Sequence, residues 1–260
     1  MLEVQNLTAT LNGKTVLKGI TAQAKPGEIT VIVGPNGSGK TTLLRALSGD
    51  LPYSGVATLN GDDIAAADPA KLAGLRAVLP QTTPLAFPFT AAEVVGLGAR
   101  AGIGAADLTI PALALAAVDL GGYGGHFYQQ LSGGEQQRVQ LARALAQVWH
   151  PVLDGVPRWL FLDEPVSSLD LGHQILVMKL AKQFAASSGG VITVLHDLNL
   201  AGLFASQVLL LSNGSLQAAG SADEVFKDQT IEDVYRCRVV TRQPPLADTF
   251  FLLPHAVELM

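Results

Sequence analysis

Ile29-Thr-Val-Ile-Val33 runs directly into Gly34-Pro35-Asn36-Gly37-Ser38-Gly39-Lys40-Thr41, and this in turn into Thr42-Leu-Leu-Arg-Ala-Leu47. The first part is a continuous apolar run of the kind buried on both faces of a sheet, and the last is compatible with helix. The middle part fits G-x-x-x-x-G-K-[ST]. Its glycines let the backbone wrap so that successive N–H groups point inward at phosphates. Lys40 brings charge to the β and γ groups, and the Thr41 hydroxyl is placed to ligate Mg²⁺. Gly34, Pro35, Asn36, Gly37, Ser38, Gly39, Lys40, Thr41 and Thr42 are therefore the expected nucleotide-binding residues.

Working outward, Trp159-Leu-Phe-Leu-Asp163 and Val191-Ile-Thr-Val-Leu-His196 are apolar runs of the same type. Each of the three is followed by a polar or Gly-containing turn and a helix-compatible stretch, the pattern of a parallel sheet in an α/β protein. The N-terminal Leu2-Glu-Val-Gln-Asn-Leu7 alternates, and Asn12-Gly13 and Pro26-Gly27 mark tight turns. Between about residues 82 and 150 the texture changes to Ala, Leu and Gly at helical spacing. After about residue 221 come two short helical patterns, Ala222 to Phe226 and Ile231 to Tyr235, and two strand-like pieces around Val239 and Phe250. Asp163 and Glu164 close the second apolar run. In a parallel sheet ligands gather at the carboxyl ends of strands, so Asp163 is placed to reach Mg²⁺ and Glu164 to face an attacking water.

Composition narrows the setting. The chain has 260 residues, enough to bury roughly 70–75% of its unfolded surface, and it needs no disulfides to stand; its one cysteine, Cys237, cannot form an internal one. That cysteine usage and the absence of a basic-then-apolar leader at Met1-Leu-Glu-Val-Gln-Asn6 read as a cytoplasmic protein. Mean hydropathy is +0.33, yet the apolar runs break well before the ~18 residues of a spanning helix. Lys+Arg at 17 against Asp+Glu at 22 gives a net charge of −5. An acidic balance weighs against nucleic acid as a partner.

Leu131-Ser132-Gly133-Gly134-Glu135-Gln-Gln-Arg-Val139 resembles the signature of ATP-binding cassette (ABC) ATPases. The residues support this: Ser132 and Glu135 form an S-x-x-E capping pattern, so a helix starts here with free N–H groups beside two glycines, a second anion-binding terminus. The resemblance implies a P-loop α/β core with an N-terminal antiparallel β subdomain and an inserted α-helical subdomain. The division would be core at 1–81 and 151–220, helical subdomain at 82–150 and a C-terminal extension at 221–260. It also implies that Ser132, Gly133 and Gly134 bind the γ-phosphate of ATP held by a second copy of the chain, in a head-to-tail dimer. Gln81, in Leu79-Pro-Gln81, resembles the family's glutamine that touches Mg²⁺ and water. Ser168-Leu-Asp170 resembles the segment crossing the dimer interface, and His196 the histidine at the γ-phosphate. The expected catalytic set is thus Glu164 as base with His196, Lys40 and Gln81, and the expected metal set Thr41, Gln81 and Asp163. Where many cassettes stack an aromatic ring on adenine, this sequence has Leu11-Asn-Gly13, which implies weak base discrimination.

Thr83-Pro-Leu-Ala-Phe87-Pro-Phe89-Thr90 is held extended by its prolines. Phe87 and Phe89 offer an apolar groove to a partner helix, or else fill the helical subdomain's own core. This stretch and His150-Pro-Val-Leu-Asp-Gly-Val-Pro-Arg-Trp-Leu-Phe-Leu162 resemble ATPase subunits of bacterial importers for haem, within a group that also serves ferric siderophores and cobalamin. The resemblance implies a peripheral subunit on the cytoplasmic face of the inner membrane, working with a permease dimer and, indirectly, a periplasmic haem-binding protein. A soluble cassette acting on ribosomes or DNA is the alternative of another class; the single cassette and acidic balance speak against it.

Overall fold

The computed structural model describes residues 1–81, 85, 87–102, 107–245 and 249–257. Strands β1 (Leu2–Leu11) and β2 (Lys14–Ala24) form a hairpin over Asn12-Gly13, both with positive φ, as a two-residue turn matched to strand twist requires. β3 (Ile29–Val33) leads through the glycine loop into α1 (Lys40–Leu47). β4 (Ser54–Leu59) and β5 (Asp62–Asp63) return to the first sheet, whose order is β2-β1-β4-β5, all antiparallel.

α2 (Pro69–Leu75) precedes β6 (Arg76–Leu79). The stretch expected to be helical then supplies α3 (Ala91–Ala101), α4 (Ile110–Ala117) and α5 (Gly133–Gln147). The segment after His150 folds back as a small hairpin, β7 (Val152–Leu153) with β8 (Val156–Pro157), before β9 (Trp159–Asp163). There follow α6 (Leu171–Ala186), β10 (Gly190–Val194), α7 (Leu198–Phe204), β11 (Gln207–Ser212), β12 (Ser215–Gly220), α8 (Ala222–Val225) and α9 (Asp228–Tyr235).

The second sheet has the order β12-β11-β3-β10-β9-β6, parallel except for β12. Its central strands are buried on both sides, and alternate residues serve two cores. Val31, Val33, Leu160, Leu162, Val208 and Leu210 face the core shared with α3–α6. Ile32, Trp159, Phe161, Ile192 and Leu209 face the one shared with α1 and the first sheet. This is why the apolar runs read as continuous. The phosphate loop, Glu164, His196 and Gln81 all lie just past the carboxyl ends of β3, β9, β10 and β6.

The helices are fixed to this frame by backbone-directed side chains. Thr90 with Glu93 and Ser132 with Glu135 close capping boxes on α3 and α5. Gln147 Nε2 donates to the carbonyls of Ala73 (2.9 Å) and Arg76 (3.0 Å), and Arg143 Nη2 to that of Val78 (3.2 Å), so α5 is tied to β6. Among the described residues no helix is long and apolar enough to cross a membrane.

The C-terminal stretch departs from expectation. α8 and α9 stand where short helices were read, but neither Val239 nor Phe250 lies in a strand. Arg236 ends α9 in the left-handed region (φ 57°). The N–H groups a strand would offer are taken by side chains of α9: Val239 N donates to Glu232 Oε1 (3.0 Å) and Thr241 N to Asp228 Oδ1 (2.8 Å). Phe250 is 90% exposed.

α3 and α5 approach so closely that a Cβ on Gly98 would stand 2.0 Å from the Arg143 carbonyl oxygen. Gly98→Ala is therefore expected to cost about 1–3 kcal/mol by overpacking, lowering Tm by roughly 3–10 °C. Gly121→Ala, where a Cβ meets nothing within 4 Å, serves as the neutral control in the same thermal melt.

Candidate nucleotide site

The loop after β3 is built for close approach. Gly34 has φ 149°, and a Cβ there would sit 2.1 Å from the Leu211 carbonyl oxygen of β11, so no side chain fits. α1 opens behind Gly39 (φ 103°) without a side-chain cap, and Leu43 N makes the first intrahelical bond, to Gly39 O (2.8 Å). The N–H groups of Lys40, Thr41 and Thr42 consequently point out of the helix end with no acceptor among the described residues. Ser38 Oγ is buried beside them without a partner.

Lys40, 6% exposed, curls its ammonium back onto the carbonyls of Gly34 (2.9 Å) and Pro35 (3.1 Å). Burial lowers its pKa, and the negative charge of Glu164 and Asp163 opposes that shift. A strand end lined with free N–H groups, an unpartnered buried hydroxyl and a buried cation fits the phosphates of a nucleotide.

Thr41 Oγ1 donates to Asp163 Oδ1 (3.1 Å). Asp163 is buried, and burial pushes its carboxyl up; the Thr41 bond opposes the shift and nearby Glu164 adds to it. Two hard oxygen donors side by side, one a carboxylate short of countercharge, suit a divalent cation that takes its remaining ligands from phosphate and water. Among the described residues no three His, Cys, Asp or Glu side chains converge as a self-sufficient metal cage.

Glu164 follows in the left-handed region (φ 51°), a conformation that costs a non-glycine residue about 1–2 kcal/mol. The backbone is pinned there: Glu164 O accepts from Gln137 Nε2 (3.1 Å), Ser167 Oγ (3.2 Å) and Ser167 N (3.3 Å). Its carboxylate is held at both oxygens, Oε1 by His196 Nε2 (2.6 Å) and Oε2 by Gln81 Nε2 (3.0 Å). Gln81 and His196 thus converge on the Glu164 carboxylate, with Lys40 in electrostatic reach of it and of Asp163.

Ser132, Gly133, Gly134 and Asp170 do not join them. Among the described residues no hydrogen bond links these four to residues 34–42. Ser132 and its helix end are exposed, with Glu135 Oε2 accepting from Ser132 N (2.8 Å) and Oγ (2.7 Å), bonds that lower the Glu135 pKa. Asp170 caps α6 through His173 N (3.0 Å). A cavity of about 420 Å³ lined by Gln81, Gly133, Gln137, Gln140 and Ser168 separates Gln81 from the start of α5. Leu11, at the end of β1, packs against the core shared with α1 and the first sheet and presents an aliphatic, not aromatic, surface. Gln137, within the signature motif, has a spacing from Ser132 that is silent about Glu164, which the sheet brings to it.

Together these features define a P-loop α/β protein that binds a nucleoside triphosphate. A family model described as ABC transporter matches residues 17–167, and the chain belongs to this family as an ATP-binding and ATP-hydrolysing cassette. It is 54% identical over 255 residues to the hemin import ATP-binding protein HmuV of Jannaschia sp. (strain CCS1), covering 98% of this chain and 94% of that one. It is 50% identical over 262 residues to HmuV of Rhizobium meliloti (strain 1021), covering all of both. Among solved structures, the ATP-binding cassette MJ0796, dimeric in a post-hydrolysis state with ADP and Pi, is 27% identical with a TM-score of 0.74, covering 85% of this chain and 99% of that one. An ATP-binding subunit of an ABC transporter shares the fold, with a TM-score of 0.78 at 23% identity over 91% of this chain and 98% of that one.

Asp163→Asn removes a buried carboxylate that the fold holds above its ordinary pKa. In the unfolded chain that charge is better solvated, so its removal is expected to raise the ligand-free Tm near neutral pH. The same variant is expected to lose Mg²⁺-dependent hydrolysis by about 10²-fold or more. Thermal melts and steady-state turnover check the two halves separately.

Proposed function

We propose that this chain hydrolyses MgATP to energise haem import through a separate membrane permease, as a peripheral subunit on the cytoplasmic side. The observation that carries the cargo is identity of 50% or more over the whole chain to relatives named for hemin import. The nucleotide chemistry follows from the residues. The loop 34–42 holds the phosphates by N–H groups and Lys40 neutralises charge on the transferred phosphoryl group. Mg²⁺, held by Thr41 and Asp163 with Gln81 near, supplies further charge stabilisation when bound.

Glu164 is the base. It accepts a proton at a carboxylate oxygen from the water that attacks the γ-phosphorus, as the bond to ADP breaks. With Oε1 on His196 and Oε2 on Gln81, water gains access to it when one of these bonds opens. Opening the His196 bond frees Nε2 to hold the γ-phosphate.

Because Ser132–Gly134 and Asp170 make no hydrogen bond to this chain's own loop among the described residues, they are assigned to the nucleotide of a second copy, in a head-to-tail dimer. Residues 1–81 and 151–220 then act as the core, 82–150 as the helical subdomain and 221–260 as an extension. For the permease, the docking surface is the exposed apolar step at Phe87 (67% exposed) and Phe127 (45% exposed). Phe89 instead packs against the core, edge-on to Phe87 at 6.3 Å. Gln129 Nε2 donates to Phe87 O (2.5 Å), and Phe127 is bridged to Thr90, which fixes this step beside α3. Of the stretch read as a docking loop, Thr83, Pro84 and Ala86 lie outside the described residues.

The test is reconstitution with the neighbouring permease and binding protein in liposomes, with haem, a ferric siderophore and cobalamin offered side by side. ATP-dependent haem uptake is expected. Glu164→Gln is expected to bind ATP while its hydrolysis falls by roughly 10²–10⁴-fold and uptake stops. Movement of another cargo in place of haem overturns the cargo; undiminished hydrolysis in the variant moves the base elsewhere.

A further inference from the structure

α5 and the segment running from Glu164 to Asp170 touch at two places and are linked indirectly at a third. At one end Gln137 donates to Glu164 O. In the middle Gly134 backs onto Ser168 and Leu169: a Cβ on it would lie 3.5 Å from the Ser168 carbonyl oxygen and 3.5 Å from Leu169 Cδ2. At the other end the link is ionic and runs through His173 in the first turn of α6. Its Nδ1 stands 2.8 Å from Asp170 Oδ2 and its Nε2 3.5 Å from Asp119 Oδ2.

Arg138 Nη1 is 3.6 Å from that same Asp119 oxygen. Arg138 is buried on α5 and also donates to the carbonyls of Val118 (3.0 Å) and Asp119 (2.9 Å), while Asp119 leaves α4 in the left-handed region (φ 58°). The Asp119 and Asp170 side chains are 76% and 69% exposed, and pairs this exposed contribute little stability. What the cluster fixes is position.

We infer that His173 is a positioning residue for hydrolysis: by bridging Asp170 to Asp119 and thence to Arg138, it makes α4 and α5 carry the Glu164–Asp170 segment with them. The inference rests on the reading of Glu164 as the base. The groups facing the imidazole are Asp170 from its own helix and Asp119 from the end of α4, with Arg138 of α5 beyond Asp119. An imidazolium donates to both carboxylates. A neutral ring has one N–H, so one carboxylate then faces a lone pair and that arm is lost. The bridge therefore has both arms only in the imidazolium form.

The experiment measures kcat and KM for ATP, with Tm, on the full chain carrying His173→Ala, Asp119→Asn, both together, or His173→Gln. Alanine keeps the backbone N–H that Asp170 caps, so the helix start survives while the bridge goes. His173→Ala is expected to lower kcat about 3- to 10-fold, with KM for ATP and Tm unchanged. The double variant is expected to be no slower than the slower single one, as one shared interaction requires. The ratio of wild-type to His173→Ala kcat is expected to be larger at about pH 6 than at about pH 8.5. The glutamine amide, which donates at every pH, is expected to restore part of the rate and remove this pH dependence.

Multiplicative losses in the double variant, a pH-independent ratio, or His173→Ala matching wild type while Glu164→Gln is inactive would each overturn the bridge alone. An active Glu164→Gln overturns the assignment of the base, and the inference with it.

Discussion

The register of four parallel strands is the constraint on which everything else depends. Val194 pairs with Ile32 on one side and with Asp163 on the other, and Leu162 pairs with Leu79. The ends of β3, β9, β10 and β6 therefore stop within a residue or so of one line. Four chain segments distant in sequence begin their loops together there, and each delivers one part of the site. A slip of β9 by one residue would turn Asp163 to the opposite face of the sheet, away from Thr41. The two cores serve this register: alternate residues of each strand are committed to opposite sides, which makes the pairing unambiguous.

Electrostatics at that line is uncompensated on purpose, in the sense that each charge is partly satisfied and none is quenched. Lys40 leans on carbonyls rather than on a carboxylate, Asp163 is buried with a single hydroxyl donor, and three backbone N–H groups face outward. A polyanion with its divalent cation would complete all of these at once. The cost of holding Asp163 ionised and buried is borne by the folded chain before any ligand arrives.

Much of this was legible in the sequence because local patterns carried it. The glycines of 34–39, the apolar runs before Gly34, Asp163 and His196, and the Ser132–Glu135 box each announce their own geometry within a few residues. The side-chain partners of Glu164 were legible only through family resemblance, since Gln81 and His196 lie 83 and 32 positions away. Gln137 and the His173–Asp119 contact had no local signal, because each depends on how α4 and α5 lie against the sheet. The strand-like piece at Val239 misled for a related reason: α9 side chains take the backbone donors of Val239 and Thr241, overriding the local β propensity.

The left-handed backbone at Glu164 has a consequence for how the residue works. Its carbonyl is fastened by Gln137 and Ser167, and its carboxylate by Gln81 and His196, so the two sets of restraints are separate. The carboxylate can exchange partners while the main chain stays put, turning about a fixed pivot. Reorganisation of the carboxylate relative to its own main chain then needs only a few side-chain torsions. β-Branched residues, which tolerate the left-handed region worst, are barred from position 164 by its backbone even before their chemistry is considered.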